Sequence, residues 1–172
     1  YASRGLGDVY KRQAEKNKKG ADYYIKEDFI PTNIKKESVS CLLEFAYDDW
    51  CIAQMAKALG HMDDYETFIK RSQNFINVFD GSTRFFRGKR QDGNWETPFD
   101  PFAIGRSYTE ATAWQYRFFT PHDVYGLTQL SGGREAFIAD LDSLFMVTSE
   151  VVGDLVDVTG SVSYTHLRAH ET

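Results

Sequence analysis

The stretch SVSCLLEFAYDDWCIAQMAKALG, residues 38–60, decides the fold class. Val39, Leu42, Ala46, Trp50, Ala53 and Ala56 recur at intervals of three and four, and Leu43, Ile52 and Leu59 widen the stripe. That is the period of an α-helix whose broad apolar face meets more than one neighbour. Gly60 is the residue that helices favour just beyond their last turn. A second helix is expected from about Asp64 to Phe79, with Asp63 and Glu66 as a capping box and Asp80-Gly81 as its stop. Tyr65, Phe68, Ile69, Phe75, Ile76 and Phe79 would line one side of it. Few residues separate the two helices, so they should form an antiparallel helical hairpin.

Outward from this hairpin the pattern stays helical. Upstream, residues 14–36 are polar, charged and aromatic by turns, and Phe29-Ile30-Pro31-Thr32 reads as extended because Pro31 disfavours helix before it. Downstream, residues 80–109 are punctuated by Gly81, Gly88, Gly93, Gly105, Pro98 and Pro101. Asp92-Gly93 is a turn signal, and Arg84-Phe85-Phe86 reads as a short hairpin strand. A loop this long inside a domain is often functional. Helix resumes at Tyr108–Tyr116. Thr120-Pro121-His122-Asp123 then starts another, with Thr120 as cap, Pro121 at the first helical position and Asp123 at the third. It carries Val124, Leu127 and Leu130 and ends at Gly132-Gly133. A last helix over Arg134–Phe145 would bury Phe137, Ile138, Leu141, Leu144 and Phe145. Nothing alternates strand with helix, and no fixed-period repeat is visible, so the fold class is all-α with one long loop or short hairpin insertion.

The two ends stand apart. YASRGLGDVYKRQ at 1–13 and SVSYTHLRAHET at 161–172 lack apolar periodicity and resemble translated cloning or sequencing-adaptor stretches. They are set aside as non-native, leaving residues 14–160 as the folded unit. Without Arg4, Lys11, Arg12, Arg168, Asp8 and Glu171, 16 basic residues face 23 acidic ones, a net charge of −7. That disfavours nucleic acid as a partner. No run of about 18 apolar residues exists to span a membrane. Cys41 and Cys51 are ten residues apart on one helix, about 15 Å along its axis, too far to bridge.

Four features carry candidate chemistry. Glu110 follows the long loop, with Trp114 four residues on and so on the same helical face. Aromatic packing around a carboxyl favours the neutral proton donor, and a helix N-terminus favours the anion. Asp49, beside Asp48, falls on the apolar stripe of the 38–60 helix and needs a basic partner to be buried. The run Arg84-Phe85-Phe86-Arg87-Gly88-Lys89-Arg90 mixes cations with aromatics, suiting a polar ligand such as a sugar, or internal ion pairs. His122 and Asp123 sit where helix caps are common. No nucleophile elbow, phosphate-gripping glycine loop or zinc pattern is present.

Several of these segments, in order, resemble the glycoside hydrolase family 92 alpha-mannosidases. They are SVSCLLEFAYDDWCIAQMAKALG at 38–60, RSQNFINVFD at 71–80, FFRGKRQDGNWETPFDPF at 85–102, YTEATAWQYRFFTPHDVYGL at 108–127, Gly132-Gly133 and FIADLDSLF at 137–145. The resemblance implies that the helical hairpins are part of an (α/α)6 toroid behind an N-terminal β-sandwich domain. It implies a secreted or periplasmic, calcium-dependent, exo-acting and inverting enzyme that removes mannose from α-mannosides, often α-1,2-linked. It places the general acid on Glu110 and the base on a carboxylate beyond residue 160. Relatives commonly carry Gly-Asn-Ala after that glutamate, where this chain has Ala111-Thr112-Ala113. Trp114 would shape the pocket, Arg87 would reach from the loop to the ligand, and Asp49 would support the helix core. The calcium ligands are not assigned. The competing expectation is a helical module that binds protein or carbohydrate without turnover. Cut from a toroid, the chain by itself would leave Phe and Leu faces of its helices exposed and be inactive.

Overall fold

The structure, a computed structural model, describes residues 20–147, so the two ends set aside above lie outside the described residues. A short helix, α1 (Ala21–Glu27), precedes the long one, α2 (Ser38–Ala58). Val39, Leu42, Leu43, Ala46, Ala53 and Ala56 of α2 are buried as the period requires, while Trp50 and Ile52 are half-buried and Leu59 is exposed. Each fully buried Leu of this stripe contributes about 1.5–3 kcal/mol. Gly60, at φ 77°, ends the helix in the left-handed conformation. Its N–H donates to Lys57 O at 3.1 Å and the His61 N–H to Ala56 O at 2.9 Å, closing two otherwise orphaned carbonyls.

The second helix is shorter than expected. α3 runs over Met62–Arg71, starts without a side-chain cap, and so does not use Asp63 and Glu66 as a capping box. It then tightens into a 3-10 helix, Ser72–Val78. The reason lies in the side chains. Ser72, Phe75 and Val78, spaced by three, are all buried, whereas Ile76 is 44% exposed. A three-residue period is what a 3-10 helix aligns on one face. α3 packs back against α2, giving the antiparallel hairpin.

Asp80-Gly81, read as a helix stop, is the corner of a β-hairpin. β1 (Phe79–Asp80) pairs antiparallel with β2 (Phe85–Phe86), Phe79 opposite Phe86 and Asp80 opposite Phe85. The strand Arg84–Phe86 therefore pairs backward, and Asp92-Gly93 closes a separate turn bridged by Lys89 and Trp95. Gly88 allows the loop layers to touch: a Cβ there would collide with Ser107, Thr32 and Glu96.

The helix expected over Tyr108–Tyr116 is reduced to α4 (Ala113–Tyr116). α5 (Val124–Leu130) begins later than Thr120-Pro121 predicts, because Asp123 is its cap and accepts the Gly126 N–H at 2.7 Å. α6 (Arg134–Met146) occupies the expected span but not the expected burial. Phe137 and Leu144 are half-buried and Asp140 is buried, while Ile138, Leu141 and Phe145 are exposed at 44%, 37% and 66%. At about 100° per residue, these three form a second apolar stripe beside the packed one. The core joins Tyr24 of α1, Ile30, the α2 stripe, Phe75, Val78, the hairpin phenylalanines Phe79 and Phe86, and Leu127 of α5. The architecture is all-α, built of helical hairpins with one short β-hairpin.

Candidate active site

Glu110 lies in the segment between the hairpin loops and α4, not on a helix, so the expected same-face relation to Trp114 does not arise. Its carboxylate is exposed and its backbone sits at φ 48°, a left-handed conformation uncommon for a residue with a Cβ. The chain on both sides is held. Upstream, the Thr109 N–H donates to Ser40 Oγ of α2 at 2.8 Å. Downstream, Thr112 caps α4, and its N–H donates to Gln115 Oε1 at 2.8 Å in a reciprocal capping box. The Gly105 N–H donates to Ala111 O at 3.2 Å and ties the preceding loop to the same point.

Trp114 belongs to an aromatic wall. Its ring meets Phe85 of β2 edge-on, 4.8 Å between centroids, and lies 6.3 Å from Phe102. Its Nε1 is buried without an acceptor among the described residues. Phe85 continues the wall to Phe99 at 5.8 Å, and the Arg87 guanidinium lies 4.9 Å over Phe99. Arg87 is fully engaged within the loop. Its Nη1 donates to Asp80 Oδ2 at 2.9 Å, and its Nε and Nη2 donate to Glu96 O at 3.1 and 2.7 Å. Burial by itself would raise the Asp80 carboxyl, but hydrogen bonds from Ser82 and Arg87 outweigh it and hold Asp80 below the usual carboxylate value. Arg87 thus organises the loop, and with Glu96, Phe99, Arg106, Ser107 and Tyr108 it lines a small pocket that neither Glu110 nor Trp114 lines.

The other cations of that run have internal partners as well. Arg84 pairs with Asp140 at 2.7 Å, Arg90 lies 4.0 Å from Asp92, and Lys89 Nζ donates to Asn77 O at 2.7 Å while lying 4.6 Å over Trp95. A second arginine, Arg117, is almost wholly buried. It donates through Nη2 to Asp140 Oδ2 at 2.6 Å and to Ser131 Oγ at 2.9 Å, between the rings of Phe79 and Phe118. This network, which fastens α6 to the rest, was not foreseen. A central Arg nine residues into an aromatic run carries no periodic signal.

Asp49 is 3% exposed and takes a two-pronged guanidinium from Arg71, Nε at 2.6 Å and Nη2 at 2.8 Å. The Tyr24 hydroxyl reaches its Oδ2 at 2.8 Å. Burial first, and then the Asp49 charge, push the Tyr24 hydroxyl far above the ordinary tyrosine range, so it stays a donor. Asp49 thereby joins α1, α2 and α3, a linking role within the helix core. His122 is half-buried, its Nε2 3.0 Å from Ser72 O and its Nδ1 buried without a partner among the described residues. Burial pulls its pKa below 6.5, the Ser72 carbonyl and Asp123 offsetting part of the effect. Cys41 and Cys51 are both free, as their spacing on α2 demands.

No group of three or more His, Cys, Asp or Glu side chains comes together among the described residues. The buried carboxylates Asp49, Asp80 and Asp140 are each taken up by an arginine. Calcium needs six to eight oxygens, so this donor set does not fit it. Nor, among the described residues, is any helix long and apolar enough to cross a membrane.

Comparisons with known proteins bear on this site as a whole. The Glycosyl hydrolase family 92 catalytic domain matches residues 4–167. A family 92 alpha-mannosidase from Bacteroides thetaiotaomicron, solved in complex with mannoimidazole, is similar with a TM-score of 0.79 and 36% identity, over 86% of this chain and 20% of that one. A family 92 inverting mannosidase from Bacteroides thetaiotaomicron VPI-5482 is similar with a TM-score of 0.71 and 31% identity, over 86% of this chain and 21% of that one. A protein of Arthroderma benhamiae named as an uncharacterized secreted glycosidase is 31% identical over 141 residues, 68% of this chain and 18% of that protein. The chain thus spans about a fifth of the length of these relatives. Its helical hairpins are part of the α/α toroid of such enzymes. Sharing that helical architecture and matched by the family's catalytic domain over residues 4–167, the chain belongs to glycosyl hydrolase family 92.

Proposed function

We propose that the full-length protein carrying this chain hydrolyses terminal α-linked mannose, α-1,2 linkages above others, with inversion, and that Glu110 is its general acid. One observation carries the assignment. Glu110 is an exposed carboxylate without a partner among the described residues, held in a left-handed backbone conformation between two anchored neighbours. Strain of this kind collects at functional sites, where the surrounding structure over-determines it. In the mechanism, the Glu110 carboxyl protonates the oxygen of the departing sugar. A carboxylate from outside residues 20–147 activates water on the opposite face of the mannose ring, about 6.5–9.5 Å from the acid. Trp114, four residues beyond the acid and backed by Phe85, lines the sugar site in this reading, and Arg87 fixes the loop that approaches the ligand. Calcium, which the resemblance implies, would take its ligands from outside residues 20–147. A secreted or periplasmic location fits a relative named as a secreted glycosidase.

The test is Glu110→Gln in the full-length enzyme. It preserves shape and removes the proton, so kcat on α-1,2-mannobiose, whose leaving group needs that proton, should fall about 10²- to 10⁴-fold. The side chain is exposed, so stability should change by no more than about 0.5 kcal/mol. Undiminished turnover of mannobiose by the variant would refute the acid assignment. An intact parent that releases no mannose from any α-mannoside with calcium present would refute the activity.

A further inference from the structure

We propose that Ser40 and Gln115 are positioning residues for Glu110, two side-chain acceptors that fix the direction in which the acid leaves the backbone. The inference rests on the general-acid reading of Glu110 and deepens it. Four hydrogen bonds join the start of α2 to the segment before the acid. The Glu37 N–H donates to Arg106 O at 2.6 Å, the Val39 and Ser40 N–H groups donate to Ser107 O at 3.1 and 3.3 Å, and the Thr109 N–H donates to Ser40 Oγ at 2.8 Å. The first amides of a helix have no partner within it, and α2 has no side-chain cap. The carbonyls of residues 106 and 107 fill that role, so the segment is the cap of the longest helix among the described residues. Ser40 makes the exchange reciprocal. It is 2% exposed, and its hydroxyl reaches across 69 residues of sequence to receive the amide next to Glu110.

On the other side, Gln115 Oε1 receives the Thr112 N–H. Only Glu110 and Ala111 lie between the two anchored amides, and Ala111 O is itself bound by the Gly105 N–H. The left-handed turn at Glu110 costs on the order of 1–3 kcal/mol and persists only if its neighbours hold it. No described side chain restrains the Glu110 carboxylate itself, so its aim depends on the backbone beneath it. Loss of either acceptor lets the peptide at 109–112 relax toward a commoner conformation. A displacement of about 1 Å at a catalytic group lowers rates by up to about 10²-fold.

The experiment separates positioning from folding by the leaving group. A 2,4-dinitrophenyl α-mannoside departs without a proton, whereas α-1,2-mannobiose requires one. In the full-length enzyme with calcium, Ser40→Ala and Gln115→Ala should lower kcat on mannobiose about 10- to 100-fold, with KM little changed. Turnover of the aryl mannoside should stay within about twofold of the parent. Ser40→Thr, which keeps the hydroxyl, should recover most of the mannobiose rate. Gln115 is exposed, so its variant reports even where Ser40→Ala fails to fold. Glu110→Gln run beside them should show the same leaving-group dependence, only larger. If Glu110→Gln shows it and both anchor variants lower the two substrates equally, or neither, the positioning role is overturned while the acid assignment stands. If Glu110→Gln itself spares mannobiose, the acid assignment falls and the positioning role with it.

Discussion

Removing the carboxylate of Asp49 should destabilise this helix core as much as emptying a buried leucine position of α2, which costs about 2–5 kcal/mol. The magnitude follows from the contacts. Asp49, 3% exposed, receives two guanidinium N–H groups at 2.6 and 2.8 Å and the Tyr24 hydroxyl at 2.8 Å. Asp49→Ala removes the carboxylate that two nitrogens of Arg71 bind, on an arginine whose side chain is only 11% exposed. Breaking such a pair from one side costs about 3–5 kcal/mol. Tyr24→Phe removes one hydrogen bond to a charged acceptor and should cost about 1.5–3 kcal/mol. Asp49→Ala combined with Arg71→Met removes both charges, so the double variant should be less destabilised than Asp49→Ala alone. Urea unfolding of the full-length enzyme, followed by tryptophan fluorescence, gives the midpoints; Trp50 stacks on Tyr47 beside Asp49 and reports locally. A cost below about 1 kcal/mol for Asp49→Ala, or strict additivity in the double variant, would refute the claim that this pair joins α1, α2 and α3.

Two further outcomes are expected. Arg117→Lys should loosen α6, because a lysine cannot bridge Asp140 and Ser131 while lying flat between Phe79 and Phe118. The expected loss is about 2–4 kcal/mol, read as faster amide hydrogen exchange across Arg134–Met146. His122 should make stability depend on pH. Its folded pKa is depressed, mainly by burial, so its contribution is complete above the unfolded value of about 6.5 and is lost as pH falls through the folded one. The melting temperature of the parent should drop below about pH 6.5, and His122→Asn should flatten that slope.

The sequence made α2 and its glycine stop legible because one period ran unbroken for six turns and nothing in the tertiary structure opposed it. Elsewhere two signals overlapped. In residues 72–79, Phe75, Ile76 and Phe79 match an α-helical stripe, but Ser72, Phe75 and Val78 match a three-residue one, and burial selected the latter. The apolar residues of α6 were identified correctly and placed on the wrong side of water. Ile138, Leu141 and Phe145 form a stripe distinct from the one that packs within this chain. Asp49 could be marked as an acid needing a partner, but the partner, Arg71, lies on the next helix, and no spacing rule points to it.

The segment around Glu110 shows why its residue was readable and its geometry was not. The helical period of Tyr108–Tyr116 extends a helix back over the acid, yet Thr112-Ala113-Trp114-Gln115 contains the capping pattern that stops it two residues short. A cap at residue 112 is incompatible with a helix running through residue 110. The same side chain that begins α4 therefore frees Glu110 from the helix and leaves its carboxylate exposed.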